Sequence, residues 1–244
     1  MSQVIAIFGA GTGLGMSLAH RFGREGYRVA LIGRREERLR GFVSDLAADS
    51  IEAAAFTADL IDSAAVPGLI AAIRERFGRI DVVAYGPTAT DTGFTSATRL
   101  TSEALSDRLK LFLLTPIEVV RAVLPEMIER GDGAILATHG ITTLRALPHL
   151  SGPGTVTAAT RNYLHSLNAE LSDTGVYVGN LIVGGYIARG GKYQAAVASG
   201  KPSGMAAPPK GMALPVFNPD VLAELYWDMN SKRDRAEEIV PASD

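Results

Sequence analysis

Short apolar runs alternate with longer amphipathic stretches along the whole chain, and the first run opens straight onto a cluster of glycines. Val4-Ile-Ala-Ile-Phe8 is followed by Gly9-Ala-Gly-Thr-Gly-Leu-Gly15. Runs this short, bounded by glycine, read as buried strands. Further strands are expected at Arg28–Ile32, Ala53–Thr57, Ile80–Ala84, Ala134–Thr138 and Tyr177–Val183, with a short last one near Glu238–Val240. The three alanines of Ala53–Thr57 have poor strand propensity. Between them, helical patterns run over Leu14–Glu25, Glu36–Asp49, Ser63–Phe77 and Ala158–Leu171. In the second of these, Leu39, Phe42, Val43 and Leu46 recur three or four apart on one face. Thr101–Arg130 reads as a long helix kinked at Pro116 and broken near Pro125. Asn218-Pro219 opens a last helix, with Asn as cap and Pro at the first helical position. Alternation of this kind predicts an α/β doubly wound parallel sheet with helices on both faces and right-handed crossovers. Ligands of such sheets bind beyond the carboxyl ends of the strands, where the strand order reverses. No internal repeat, charge run or linker divides residues 1–244, so one domain is expected.

Composition narrows the classes. Apolar residues make up 47% and charged residues 20%, enough for a filled core. With 24 basic against 26 acidic residues there is no electrostatic reason to expect nucleic acid or an anionic membrane as partner. The absence of cysteine excludes disulfides and thiolate metal sites. His20, His149 and His165 have no carboxylate pattern around them that suggests a metal. The most apolar long stretch, Leu109–Leu124, carries Lys110, Pro116, Glu118 and Arg121 and is too short and too charged to span a bilayer. The N-terminus runs into the first strand without the features of a signal peptide. A soluble, cytoplasmic protein is expected.

The glycine cluster carries the first functional signal. The common G-x-G-x-x-G spacing is not met, but G-x-x-x-G-x-G is, by Gly9, Gly13 and Gly15. Glycine lets the backbone turn tightly against a pyrophosphate, and the following helix N-terminus offers free N–H groups and a positive dipole end. Its place between the first strand and the first helix favours nucleotide binding over a bare turn. About 20 residues on, an acid is expected when the ligand is NAD. Gly33 stands there, followed by Arg34 and Arg35, whose guanidinium groups can pair with a 2′-phosphate. The cofactor expected is NADP (NADPH) rather than NAD.

The glycine spacing, Arg34, Ala58-Asp59-Leu60, Pro125-Glu-Met127, Gly133-Ala-Ile135, Ala169-Glu-Leu171 and Gly185-Tyr-Ile187 together resemble the short-chain dehydrogenase/reductase family, a Rossmann fold, over almost the whole chain. The resemblance implies that Gly9, Thr12, Gly13, Leu14 and Gly15 form the phosphate loop and that Arg34 and Arg35 face the adenosine ribose. It also implies that Asp59 and Leu60 meet the adenine, and that Gly86, Gly185 and Ile187 lie along the rest of the cofactor. It implies oxidoreductase activity, a variable substrate loop at about 184–217, and a homodimer or homotetramer built on the helices after the fourth and fifth strands. Leu111–Val123, with Asn162, Tyr163 and Leu167, could face such a partner; alternatively this apolar face packs on the sheet.

The chain departs from the family where the chemistry occurs. Counting from Pro125 and from Ala169-Glu-Leu171, the family's Asn, Ser, Tyr and Lys positions hold Phe112, Gly140, Pro153 and Thr157. The usual Asn-Asn-Ala-Gly is Tyr85-Gly-Pro-Thr88, and the proline before Gly185 is Gly184. Carbonyl reduction needs a proton donor beside the developing alkoxide, and neither Pro153 nor Gly140 has one. Tyr85, Tyr186 and above all His139, one position before the lost serine, are the candidate substitutes, although a lone His or Tyr is more often structural. Lys192, Lys201 and Lys210 in the variable loop are most simply solvated. Three functions stay open: an atypical NADPH-dependent oxidoreductase, a non-catalytic dinucleotide-binding sensor or interaction protein, and a non-redox enzyme on the same fold.

Overall fold

A computed structural model describes residues 2–88, 93–199 and 214–241. Strands β1 (Val4–Phe8), β2 (Arg28–Gly33) and β3 (Ala53–Thr57) alternate with helices α1 (Leu14–Arg24) and α2 (Glu36–Ala48). Helix α3 (Val66–Phe77) follows, then β4 (Val82–Tyr85), α4 (Ser102–Leu109), α5 (Thr115–Arg130), β5 (Gly133–Gly140), α6 (Pro153–Glu170) and β6 (Val176–Val183). The last part contains β7 (Tyr186–Ile187), α7 (Gly191–Ser199), β8 (Val216–Phe217), α8 (Pro219–Lys232) and β9 (Glu237–Val240). Seven strands form one parallel sheet in the order β3-β2-β1-β4-β5-β6-β9, and β7 pairs with β8 apart from it. The order reverses between β1 and β4, which are neighbours in register from Ile5 opposite Val82 to Phe8 opposite Tyr85.

Side-chain alternation along the strands makes two cores. Val4, Ala6 and Phe8 pack with Ile70, Ile73 and Phe77 of α3, Val119 and Val123 of α5 and Leu164 of α6. Ile5 and Ile7 pack with Phe22 of α1, Leu39 and Leu46 of α2, and Leu222, Tyr226 and Met229 of α8. Lys201 and Lys210 lie outside the described residues. Among the described residues no helix is long and apolar enough to cross a membrane.

Four local expectations are corrected. The fourth strand begins at Val82 rather than Ile80, because the Asp81 carboxylate, not a backbone carbonyl, accepts the Val4 N–H at 2.8 Å. Arg79 and Arg130 sit on the same carboxylate. Second, the long helix after Thr101 is not broken near Pro125, which lies inside α5, where Arg74 Nη2 donates to the Ala122 carbonyl at 2.7 Å in the turn that the proline disturbs. Third, the irregularity sits earlier, in a π-turn over Lys110–Leu114. Carbonyls there leave the ordinary ladder and accept side-chain bonds instead, Leu111 from the Tyr85 hydroxyl and Phe112 from the Thr160 hydroxyl. Fourth, α6 begins at Pro153 rather than Ala158; proline suits the first helical position, where no N–H is needed, and Gly152 before it adopts φ +108°.

Candidate functional site

The loops at the carboxyl ends of β1 through β6 enclose one cleft of about 380 Å³, at the point where the strand order reverses. Gly9, Thr12, Gly13, Leu14, Gly15, Arg34 and Arg35 all line it. So do Asp59, Leu60, Gly86, Gly185 and Ile187, and so does His139. The fold therefore brings the residues singled out in the sequence into a single wall.

The phosphate loop is built from close backbone approaches. Gly9 has φ +92°, and a Cβ there would stand 2.4 Å from Pro87 Cα. A Cβ on Gly13 would stand 2.9 Å from Gly190 Cα. Gly9 and Ala10 both donate to the Ile32 carbonyl, at 3.0 and 2.9 Å, which pins the loop to the end of β2. Helix α1 starts here with Gly13 as its cap, no side-chain bond to its first N–H groups and no acid in its first turn. A positive dipole end without a capping side chain suits a phosphate, although the Met16 N–H already donates to the Gly11 carbonyl at 3.0 Å, so the residues present fit the phosphates of a dinucleotide.

Beyond the loop, the wall of the cleft that follows β2 is basic. Arg34 and Arg35 are exposed at the cleft, and Glu36 is engaged by Arg40 at 2.6 Å. Arg38, which the sequence did not single out, is the third guanidinium in this wall. Its Nη2 donates to Thr12 Oγ1 at 3.2 Å, and its guanidinium lies 5.5 Å from the Phe42 ring centroid. Partial burial and the neighbouring Arg35 charge lower its pKa. Thr12 in turn donates to the Arg189 carbonyl, so one hydroxyl ties the phosphate loop to the segment after β7. Asp59 is exposed and accepts the Ile61 N–H at 3.1 Å, while Leu60 is buried beside it.

The other end of the cleft is lined by Phe94, Phe112, Gly140, Thr142, Pro153, Thr157 and Tyr186. Thr157 is buried, 2.7 Å from Thr143 Oγ1 and 3.0 Å from the Pro153 carbonyl, so its hydroxyl serves the protein interior. Tyr85 is buried with its hydroxyl on the Leu111 carbonyl, and burial raises its pKa well above the usual phenol value. Tyr186 lines the cleft half-buried, and burial raises its pKa too. His139 is 6% exposed, with Nε2 3.1 Å from Asn180 Oδ1, and burial pushes its pKa down to about 4. An imidazole titrating there carries no ionisable proton to give near neutrality, which corrects the expectation that an ordinary pKa suits His139 as acid.

Two cations stand at this end. Arg108 of α4 is 5% exposed and lines the cleft. Lys192 of α7 also lines it; solvent reaches the side chain, yet the surrounding wall and the Arg108 charge lower its pKa. Lys192 is thus exposed, as expected, and at the same time part of the wall of the site. Neither cation carries a sequence signal for this role, since the two lie 84 positions apart and only the fold places both in the cleft.

The family model for short chain dehydrogenase matches residues 3–193. A dehydrogenase/reductase SDR family protein 7-like of Drosophila melanogaster is 28% identical over 231 residues, 91% of this chain and 68% of that protein. The chain spans 55% to 71% of the curated relatives compared. Among solved structures, an actinorhodin polyketide ketoreductase with NADPH superposes with TM-score 0.84 at 23% identity, covering 98% of this chain and 95% of the other. A short-chain oxidoreductase from Pseudomonas aeruginosa PAO1, described as containing an atypical catalytic centre, gives 0.79 at 21% identity, covering 97% and 94%.

Proposed function

This chain belongs to the short-chain dehydrogenase family, and we propose from that premise that it binds NADP(H) in the cleft but lacks the family's usual route for delivering a proton. The observation that carries the first half is the basic wall at the end of β2. Arg34, Arg35 and Arg38 gather where Gly33 leaves no carboxylate to compete for a ribose hydroxyl. That the actinorhodin ketoreductase structure holds NADPH supports the choice. Gly9, Gly13 and the N-terminus of α1 would hold the pyrophosphate, Asp59 and Leu60 the adenine, and Gly86, Gly185 and Ile187 the remainder.

Bound NADPH would supply a hydride. On this reading the chain's own groups at the reacting end do little proton work near neutrality. Pro153 has no donor, Gly140 has no side chain to polarise a carbonyl, and Thr157 turns inward to Thr143. Loss of a positioned acid costs about 10²–10⁴-fold in rate, so binding without ordinary reductase chemistry is the function best supported.

Calorimetric titration tests the first half. NADPH should bind more tightly than NADH by roughly 1.5–3 kcal/mol, the worth of a charge-assisted pair. Arg34→Ala and Arg38→Ala should each narrow that gap; equal affinities for the two nucleotides, or a gap indifferent to both substitutions, would refute the assignment. A screen of simple ketones and alcohols on the saturated protein tests the second half. Turnover should be absent or very slow, and fast reduction of a simple ketone would overturn it.

A further inference from the structure

We propose that the reacting end of the cleft is an anion site, built to hold a small-molecule carboxylate between Arg108 and Lys192. The proposal rests on the nucleotide reading only in placing this ligand beside bound NADPH; the site itself is argued from its own residues.

Arg108 makes the case. Its Nη1 donates to the Ala104 carbonyl at 2.9 Å and its Nη2 to the Gly93 carbonyl at 2.6 Å. Both acceptors are neutral, so they orient the guanidinium without balancing its charge. Nε is buried with no partner. Among the described residues no carboxylate lies within ion-pair distance, and the adjacent Asp107 faces Lys110 at 3.6 Å. A buried cation without a counter-charge is costly in a folded chain and marks a place where an anion is expected.

The fold spends a special backbone position on holding this group. A Cβ on Gly152, at φ +108°, would stand 2.9 Å from Arg108 Nη1 and 3.1 Å from Cζ. The guanidinium therefore lies against a glycine that no other residue replaces comfortably. The next residue is Pro153, at the position of the missing tyrosine. Arg108 thus occupies the neighbourhood of the lost proton donor. Lys192 adds a second positive charge from α7, and its lowered pKa reflects the wall and the proximity of Arg108. A further anion would relieve that mutual repulsion.

Geometry selects the ligand class. A guanidinium has five N–H donors; Nη1 and Nη2 each give one to a carbonyl, and the one hydrogen left on each matches the two oxygens of a carboxylate. Phe94, Phe112 and Pro153 give the rest of this end an apolar wall. The ligand that fits both is a carboxylate on a small apolar body.

Benzoate and its neutral isostere benzamide are the probes, titrated calorimetrically into the protein with and without saturating NADPH. Benzoate should bind at least about tenfold more tightly than benzamide, as a charge-assisted contact predicts. Lys192→Ala, at a solvent-reached position, and Arg108→Lys, which keeps the charge but loses the fork, should each erase most of that ratio. Equal affinity for both probes, no binding of benzoate, or a ratio unchanged in both variants would overturn the proposal. Thermal unfolding checks that the variants fold; if Arg108→Lys does not, Lys192→Ala still decides. Failure of NADPH to bind while the benzoate preference holds would refute the nucleotide reading and leave the anion site standing. The converse result would refute the anion site alone.

Discussion

His139 shows how burial changes a residue's chemistry without changing its place. It ends β5 beside the cleft, as its sequence position suggests, but its ring is sealed against Asn180, with Glu237, Arg161 and His165 near it. Desolvation lowers its folded pKa to about 4 from the ordinary value of 6.5. Between those two values the unfolded chain takes up a proton that the folded chain refuses. Stability is therefore complete above about pH 6.5 and declines as the pH falls toward 4, by up to about 3 kcal/mol. His139→Gln keeps an amide against Asn180 and removes the titration. Its urea midpoint should consequently fall less between pH 7 and pH 4.5 than that of the unsubstituted protein, and parallel pH profiles would contradict this. Arg108 and Lys192 were hidden in the sequence for a related reason. An arginine late in a short helix and a lysine in a glycine-rich loop carry no local mark of the cleft, because their surroundings come from Gly93, Gly152 and the end of β7.

At the scale of elements, local signals survived wherever the local chain supplied its own partners. Asn218 caps α8 by accepting the Asp220 N–H at 2.9 Å, as the Asn-Pro pair suggested. The π-turn was illegible because Tyr85 and Thr160, which satisfy its carbonyls, lie 26 and 48 positions away. Asp81 was illegible too, since an acid inside Ile80–Ala84 reads as one polar residue in a strand. It is instead a buried junction between β1, β4 and the end of α5, 2% exposed, serving the Val4 N–H, Arg79 and Arg130. Asp81→Ala removes the acceptor and leaves two partly buried guanidinium groups facing each other. A loss of about 3–5 kcal/mol is expected, as for breaking other buried charge pairs. Equilibrium urea unfolding reads it directly, and a loss below about 1 kcal/mol would show that solvent or other carbonyls take over the role. The phosphate loop should respond differently. Gly9→Ala places a Cβ 2.4 Å from Pro87 Cα at a positive φ, so it should abolish NADPH binding in calorimetry and cost roughly 1–3 kcal/mol of stability. Wild-type affinity in that variant would mean that the loop tolerates a displacement of Pro87.

For the whole molecule, the alternation of strands and helices made the sheet legible, because inner strands such as β1, β4 and β6 are buried throughout and read locally as short apolar runs between helical patterns. The nucleotide end of the cleft was legible locally too, while the reacting end depends on contacts that no local pattern records. Assembly is the property that follows least from the single chain, and we expect a homodimer on α5 and α6. Much of Leu111–Val123 is spent internally: Leu111, Val119, Val120 and Val123 are in the core, and Leu167 of α6 is buried with them rather than turned outward. Three large apolar side chains on this run of helices remain exposed in the monomer. Leu114 is 44% exposed, Leu109 and Ile128 are exposed on the same run of helices, and Asn162 is exposed on α6. A two-fold interface presents one such patch to its own copy, burying about 800 Å² on each partner when stable. Light scattering at micromolar concentration should therefore give twice the 25.7 kDa chain mass. Leu114→Glu places a charge at the most exposed of the three and should shift the mass to the monomer without lowering the unfolding temperature of the isolated fold. A monomeric mass for the unsubstituted protein would refute the dimer, and a dimer untouched by Leu114→Glu would place the interface on another face.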